Sequence, residues 1–246
     1  MAQDEEAEGT GNFEGRWQRS EEELQEFTRM IAHNLRTALR TVTAHAQLLQ
    51  QTPLEQTHAG KLSSEAAQSV TYILEGIEQL KLLADGLASY AAVLAKTVEA
   101  GPSVGAETAL RLALGKLREP IQQTKATITH DPLPKIPGNL EMLTHLFEHL
   151  IGNSLNYRSE ETPRVHVSAN RNNSDWLFSV TDNGIGIEPI YCEAIFLPFK
   201  RLHGTRRPGV GLGLTICQRI AESHGGKIWA QSKKGPGATL LISLPA

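Results

Sequence analysis

With two cysteines in 246 residues, Cys192 and Cys217, the chain has neither a disulfide framework nor metal-ligand spacing. That usage fits a reducing cytoplasm. The nine histidines are scattered, so no metal site is built from them. No apolar run approaches the roughly 20 residues of a membrane span. The start, MAQDEEAEG, is acidic where a signal peptide would be basic and then apolar. An excess of one charge is missing too: 24 Lys and Arg against 27 Asp and Glu leave a net −3, with no basic block. Nucleic acid and acidic membrane surfaces are therefore excluded as default partners. No internal repeat can be read.

What the chain does have is glycine in informative places. Gly209-Val210-Gly211-Leu212-Gly213 follows Arg207-Pro208 with glycine at every second position, and glycine costs roughly 1 kcal/mol in a helix interior. The stretch therefore predicts a loop whose backbone lies close to a ligand. Leu212, Leu214, Ile216 and Ile220, with Arg219 and Glu222, begin an amphipathic helix directly after it. A loop running into a helix start offers free N–H groups and the positive dipole end, which suits phosphate. A second glycine element, Thr181-Asp182-Asn183-Gly184-Ile185-Gly186-Ile187, lies upstream, and an asparagine helix further upstream still. Each of these alone also reads as a simple turn or an ordinary helix face.

The length allows one or two domains with a proper core. Residues 1–19 are acidic and small, and disorder is expected there. Ser20 with Glu23 forms a capping box. Apolar residues then recur at Leu24, Phe27, Ile31, Leu35, Ala38, Val42 and Leu49, a helical seam that ends near Pro53. A second helix is expected from Leu62 to Leu94. Two long helices with a short connection read as an antiparallel hairpin. Pairing with a second copy would cover both seams; packing against the rest of the same chain would also do so. After Gly101-Pro102-Ser103 the pattern becomes mixed. Helices are expected at 106–122 and 139–157, with strands at 125–129, 164–170, 176–181, 227–231 and 238–244. Pro132, Pro134 and Pro137 mark a loop between them.

On a helical wheel the seam of the first helix clusters within roughly 60°, and His33 falls at about 180° from it. Arg29, Arg36, Thr37 and Arg40 share that polar face, a setting that attracts phosphate. His45 lands beside the seam and reads as a packing residue.

Taken in order, His33-Asn34-Leu35-Arg36-Thr37-Ala38-Leu39, the helix around Asn153, the Asp182 element, Phe196 and Phe199, and the glycine loop resemble the sensor histidine kinases of two-component systems. The resemblance covers residues 20–246 and is strongest to the subgroup found with phytochrome and PAS sensors. It implies two domains, placed at 20–99 and 104–246. The first would be an all-α hairpin that forms a four-helix bundle as a homodimer. The second would be an α/β sandwich of the histidine kinase ATPase type. It also implies ATP and Mg²⁺ as cofactors, a response-regulator receiver domain as partner, and a separate sensor protein as a further one.

Position by position, the resemblance makes His33 the phosphoryl acceptor, with Asn34 and Thr37 beside it in the catalytic box. Asn153 would hold Mg²⁺, a role that suits a neutral carbonyl oxygen. Asp182 would accept from the adenine amino group. Asn156, Tyr157, Gly184, Gly186, Ile187, Phe199, Gly209, Val210, Gly211, Leu212 and Gly213 would complete the nucleotide site. Three departures stand out. Asn34 replaces the usual acidic neighbour of the acceptor histidine, and Ala38 the usual proline. In the asparagine box, His149 and Asn156 replace an asparagine and a lysine. These departures make a weakly active phosphotransfer or scaffold protein the alternative reading. A gyrase- or chaperone-type ATPase would need a carboxylate where His149 stands.

Overall fold

The computed structural model of the chain describes residues 28–50, 64–95, 103–202, 209–232, 235 and 237–246. The acidic start, the Ser20 cap, the Pro53 connection and the Gly101-Pro102 linker lie outside these described residues. The chain divides into two compact units, Met1–Leu83 and Ala84–Ala246.

The described residues of the first unit are helical. Helix α1 occupies residues 28–50, and α2 runs Ser64–Leu94, continuing past the unit's boundary. The seam is as the spacing predicts: Ala38 is 2% exposed, and Ile31, Leu35, Val42 and Leu49 are half-buried. A Cβ at Gly76 would stand 2.7 Å from Val42 Cγ2, so glycine is what lets the helices approach there. His45 stacks on Tyr72 with ring centroids 4.5 Å apart. Contacts that advance along α1 as they retreat along α2 define an antiparallel pair. His33, Arg29, Arg36, Thr37 and Arg40 are all exposed. Leu39, Leu48, Leu74 and Ile77 are each about half exposed or more, which leaves apolar surface uncovered on both helices.

The second unit is built on a five-stranded mixed sheet. In chain order its elements are β1 Ser103–Gly105, α3 Ala106–Lys116, α4 Arg118–Thr124, β2 Thr127–His130, β3 Lys135–Pro137 and α5 Leu140–Asn156. Then come β4 Arg164–Asn172, β5 Asp175–Asp182, α6 Gly213–Ser223, β6 Lys227–Ser232 and β7 Ala238–Pro245. The sheet order is β2-β4-β5-β7-β6, with β2 and β4 parallel and every other pair antiparallel. Alternation assigns the two faces. Val165, Val167, Phe178, Val180, Leu240, Ile242 and Leu244 are buried on one. The other carries cross-strand polar pairs, Ser168 with Ser179 at 2.8 Å and Thr181 with Thr239 at 3.0 Å.

Helix α5 covers the apolar face, packed by α3 and α6. Its buried positions Met142, Leu143, Thr144, Leu146, Phe147, Leu150, Ile151, Ser154 and Leu155 follow three- and four-residue spacing. Burying each large apolar side chain contributes about 1.5–3 kcal/mol. Asn139 caps the helix, its side chain accepting from the Met142 N–H at 3.1 Å.

Two expectations need correction. The segment expected as one helix over 106–122 is two, broken at Leu117. Pro120 lacks an N–H, and its ring would clash with the carbonyl of Lys116, so a continuous helix cannot pass through. The proline loop also contains a short strand: β3 pairs with β1, Ile136 opposite Val104.

His224, at the C-terminus of α6, joins that helix to the start of α5. Its Nε2 accepts the Asn139 N–H at 3.2 Å, while its Nδ1 lies 2.8 Å from the Ile220 carbonyl and donates to it. The bond that Nε2 accepts requires the neutral ring, whose proton then sits on Nδ1. Burial holds the His224 pKa below its ordinary 6.5. A depressed histidine pKa adds stability that is full above the unfolded value and drains as pH falls toward the folded one. The denaturation midpoint should therefore drop between about pH 7.5 and about pH 5, and drop less in His224→Gln. A midpoint that rises on acidification over this range would contradict the assignment.

Candidate nucleotide and phosphoacceptor sites

Alternation along β5 places Phe178, Val180 and Asp182 on the helix-covered face, so the carboxylate enters where the apolar core ends. It accepts from the Gly184 N–H at 2.8 Å, the Ala238 N–H at 3.2 Å and the Ser154 hydroxyl at 3.2 Å. Desolvation nonetheless raises the Asp182 pKa, the three hydrogen bonds opposing it. Ser154 is the one polar member of the α5 stripe on this side, and 5% exposed.

Around this carboxylate the backbone is drawn tight. A Cβ at Gly184 would stand 2.5 Å from the Tyr157 carbonyl oxygen, which itself accepts the Ile185 N–H at 3.0 Å. Gly186 takes φ 74°, a left-handed conformation that favours glycine. A Cβ at Gly237 (φ 84°) would collide with the Asp182 carbonyl oxygen, and the Gly237 N–H donates to Gly184 at 2.8 Å. The Ile187 N–H donates to Ser232 Oγ at 2.9 Å, tying the loop to β6. Asn183 serves the scaffold: its Oδ1 accepts the Arg164 N–H at 2.7 Å and its amide donates to the Thr162 carbonyl at 3.0 Å.

The glycine loop lies on the backbone of Phe199. The Phe199 N–H donates to the Gly211 carbonyl at 2.9 Å, and a Gly211 Cβ would stand 2.8 Å from the Phe199 carbonyl carbon. Gly211 at φ 82° can adopt this approach; Gly209, at φ 110°, lies in open space. Phe196 is 8% exposed, and its carbonyl accepts from the Thr215 hydroxyl at 2.9 Å. Leu212 is 2% exposed and Val210 half-buried. Gly213 opens α6, and among the described residues no side chain caps that N-terminus. A Gly213 Cβ would stand 3.4 Å from His149 Nδ1 and 3.9 Å from the Asn153 amide nitrogen. Asn156 and Tyr157 end α5 half-buried nearby in sequence.

The structure thus gathers the Asp182 element, the C-terminal turns of α5 and the glycine loop into one unit. An uncapped helix N-terminus with an amide and an imidazole beside it suits phosphate, and a desolvated carboxylate in a glycine cradle suits a base amino group. Residues 203–208, just before the glycine loop, lie outside the described residues. His33, Asn34 and Thr37 belong to the other unit, where the Thr37 hydroxyl donates to the His33 carbonyl at 2.9 Å and Asn34 is half-buried. Sequence reading missed Ser154, Gly237, Ser232 and Thr215. Ser154 alone left a signal: a polar residue four positions after Leu150, inside an apolar stripe.

A phosphoacceptor-type hairpin and a nucleotide-binding α/β unit on one chain define a class of signalling kinase core, and comparison with known proteins agrees. Residues 23–91 match the His Kinase A (phospho-acceptor) domain. Residues 138–246 match the histidine kinase-, DNA gyrase B- and HSP90-like ATPase family. The chain belongs to the histidine kinases of two-component systems. It is 40% identical over 230 residues to cyanobacterial phytochrome A of Nostoc sp., covering 93% of this chain and 29% of that protein. It is 28% identical to the sensor protein kinase WalK of Staphylococcus aureus, covering 93% and 55%. Among solved structures, full-length ShkA in complex with AMPPNP matches at TM-score 0.58 and 24% identity, covering 90% of this chain and 45% of that one. ThkA in complex with the response regulator TrrA matches at TM-score 0.67 and 18% identity, covering 90% and 61%. The chain spans less than a third of the length of its phytochrome relatives. No helix among the described residues is long and apolar enough to cross a membrane.

Two substitutions separate cradle from scaffold. Gly237→Ala should weaken nucleotide binding and destabilise the fold by about 2 kcal/mol or more, through a strained φ and a backbone collision. Gly115→Ala, at an exposed position of α3 with no described atom within 4 Å of the new methyl, should stabilise by about 0.4–1 kcal/mol. Denaturant titration with nucleotide calorimetry reads both; equal effects from the two would overturn the distinction.

Proposed function

We propose that this chain is the kinase core of a two-component sensor, acting in the cytoplasm as a homodimer. In this reading residues 20–99 form the dimerisation and phosphotransfer domain and residues 104–246 bind ATP. The observation that carries it is the pairing of a solvent-facing histidine, ringed by arginines on a helical hairpin, with a glycine-cradled carboxylate in an ATPase-family fold. The uncovered Leu39, Leu48, Leu74 and Ile77 support pairing of two hairpins.

In the proposed reaction a ring nitrogen of His33 attacks the γ-phosphorus of ATP. The new N–P bond replaces the bond to the bridging oxygen, ADP leaves, and the ring proton passes to an acceptor nearby. Asp182 would fix the adenine through its amino group, with Gly184, Gly186 and Ile187 lining the base side. The phosphates would lie at the N-terminus of α6, against Gly209, Val210, Gly211 and Gly213. Phe199, bonded to Gly211, would hold that loop in place. Asn153 would hold Mg²⁺, which spreads the charge that develops on the phosphate oxygens. The phosphoryl group then passes to an aspartate of a receiver domain; ThkA, a structural neighbour, was solved with the response regulator TrrA. Arg29, Arg36 and Arg40 supply positive charge around the acceptor, and Thr37 would act in the return reaction on the regulator.

Asn34 sets the rate. A carboxylate beside the acceptor can take up the imidazole proton, whereas an amide cannot. General-base help is typically about 10²–10⁴-fold. Asn34→Asp should therefore speed phosphorylation at saturating ATP with nucleotide affinity unchanged. Label from γ-labelled ATP should vanish in His33→Ala and persist in His45→Ala. Label persisting in His33→Ala would refute the acceptor assignment, and Asn34→Asp no faster than its parent would refute the missing-base account.

A further inference from the structure

Three residues other than glycine take a left-handed backbone among the described residues: Lys125, Asn173 and Phe199. Lys125 caps the end of α4 and Asn173 turns the β4–β5 hairpin, where such a conformation is ordinary. Phe199, at φ 59°, does neither. Leu197 takes φ −67° and ψ 139°, and the Lys200 N–H closes a turn on the Leu197 carbonyl at 3.2 Å. Pro198 at the second position and a left-handed third residue make the type II pattern, in which the third residue is ordinarily glycine. A bulky side chain in that place is strained and persists only where its surroundings over-determine it.

Those surroundings include two hydrogen bonds between the segments 196–199 and 211–215. The Phe199 N–H donates to the Gly211 carbonyl, and the Thr215 hydroxyl donates to the Phe196 carbonyl, each at 2.9 Å. Thr215 is 4% exposed and Phe196 8%, so water is a poor substitute for the hydroxyl there. Between the two bonds, a Cβ at Gly211 would stand 2.8 Å from the Phe199 carbonyl carbon. Turn and glycine loop therefore hold one another in place. Thr215 stands two residues beyond Gly213 with its hydroxyl committed to Phe196, so that hydroxyl acts on the loop through the turn.

We propose that Thr215 is a positioning residue for the nucleotide. By holding the Phe196 carbonyl it fixes the strained turn, and the turn fixes the Gly211 carbonyl and with it the backbone of the glycine loop. This rests on the nucleotide site proposed above and adds to it a residue outside those that the resemblance assigns. The strain is what makes the clamp matter. Without the hydroxyl the turn has a relaxed alternative, with Phe199 at negative φ, and the Gly211 carbonyl loses its partner.

The test uses the full chain with Thr215→Val, which removes the hydroxyl and keeps the branch, and with Thr215→Ser, which keeps the hydroxyl. Calorimetric titration with Mg-ATP should show about tenfold weaker binding in Thr215→Val, the scale of a buried carbonyl left without its donor, and parental binding in Thr215→Ser. Hydrogen exchange without nucleotide should show the Phe199 amide losing its protection in Thr215→Val and keeping it in Thr215→Ser. Phe199→Gly and Phe199→Ala lose the same ring, so only the turn separates them. Added to Thr215→Val, glycine should restore protection of the amide of residue 199 and alanine should not. A folded Thr215→Val with parental affinity, or with a protected Phe199 amide, would overturn the proposal, as would equal protection in the two double variants. Failure of the unmutated chain to bind Mg-ATP would instead overturn the nucleotide-site reading, while the Phe199 amide still decides the clamp.

Discussion

Everything in the nucleotide-binding unit turns on one half-buried carboxylate. Asp182 ends an apolar face, and a carboxylate so desolvated is tolerable only with several donors around it. Those donors come from three separate parts of the chain: Ser154 on α5, Gly184 on its own loop and Ala238 at the start of β7. Supplying them pins helix, loop and sheet together. The glycines follow from the same constraint, because backbone amides can reach the carboxylate only where no Cβ intervenes. A base amino group would add a further donor to a carboxylate whose raised pKa shows that it remains short of compensation.

The phosphate end is organised on the opposite logic. There the chain offers the start of α6 with the Asn153 amide beside it. The two ends together suit a molecule with an amino-bearing base at one extremity and negative charge at the other. The hairpin keeps its chemistry apart, with His33 on the exposed face of α1 and the packing imidazole, His45, stacked on Tyr72.

Periodicity made much of this legible. The three-and-four spacing of α1 separates His33 from His45, and period-two alternation marks the β4–β5 hairpin. What escaped the sequence depends on partners far apart in the chain. Strands β1 and β3 are three residues each and pair across about thirty residues, so neither has a periodic signal. Ser154 and Gly237 both meet Asp182, and that meeting is set by strand register and helix placement, not by local pattern. The break at Leu117 was readable from Pro120, but the apolar spacing on either side hid it. The order of the four boxes, more than any one of them, made the candidate site recognisable.

The most direct test of the account is a ³¹P spectrum of the full chain after incubation with Mg-ATP and removal of free nucleotide. The account predicts a phosphoramidate resonance that survives base, disappears in acid and maps to the peptide containing His33. A chain that binds ATP yet gives no such resonance, or one that maps its phosphate elsewhere, would contradict it.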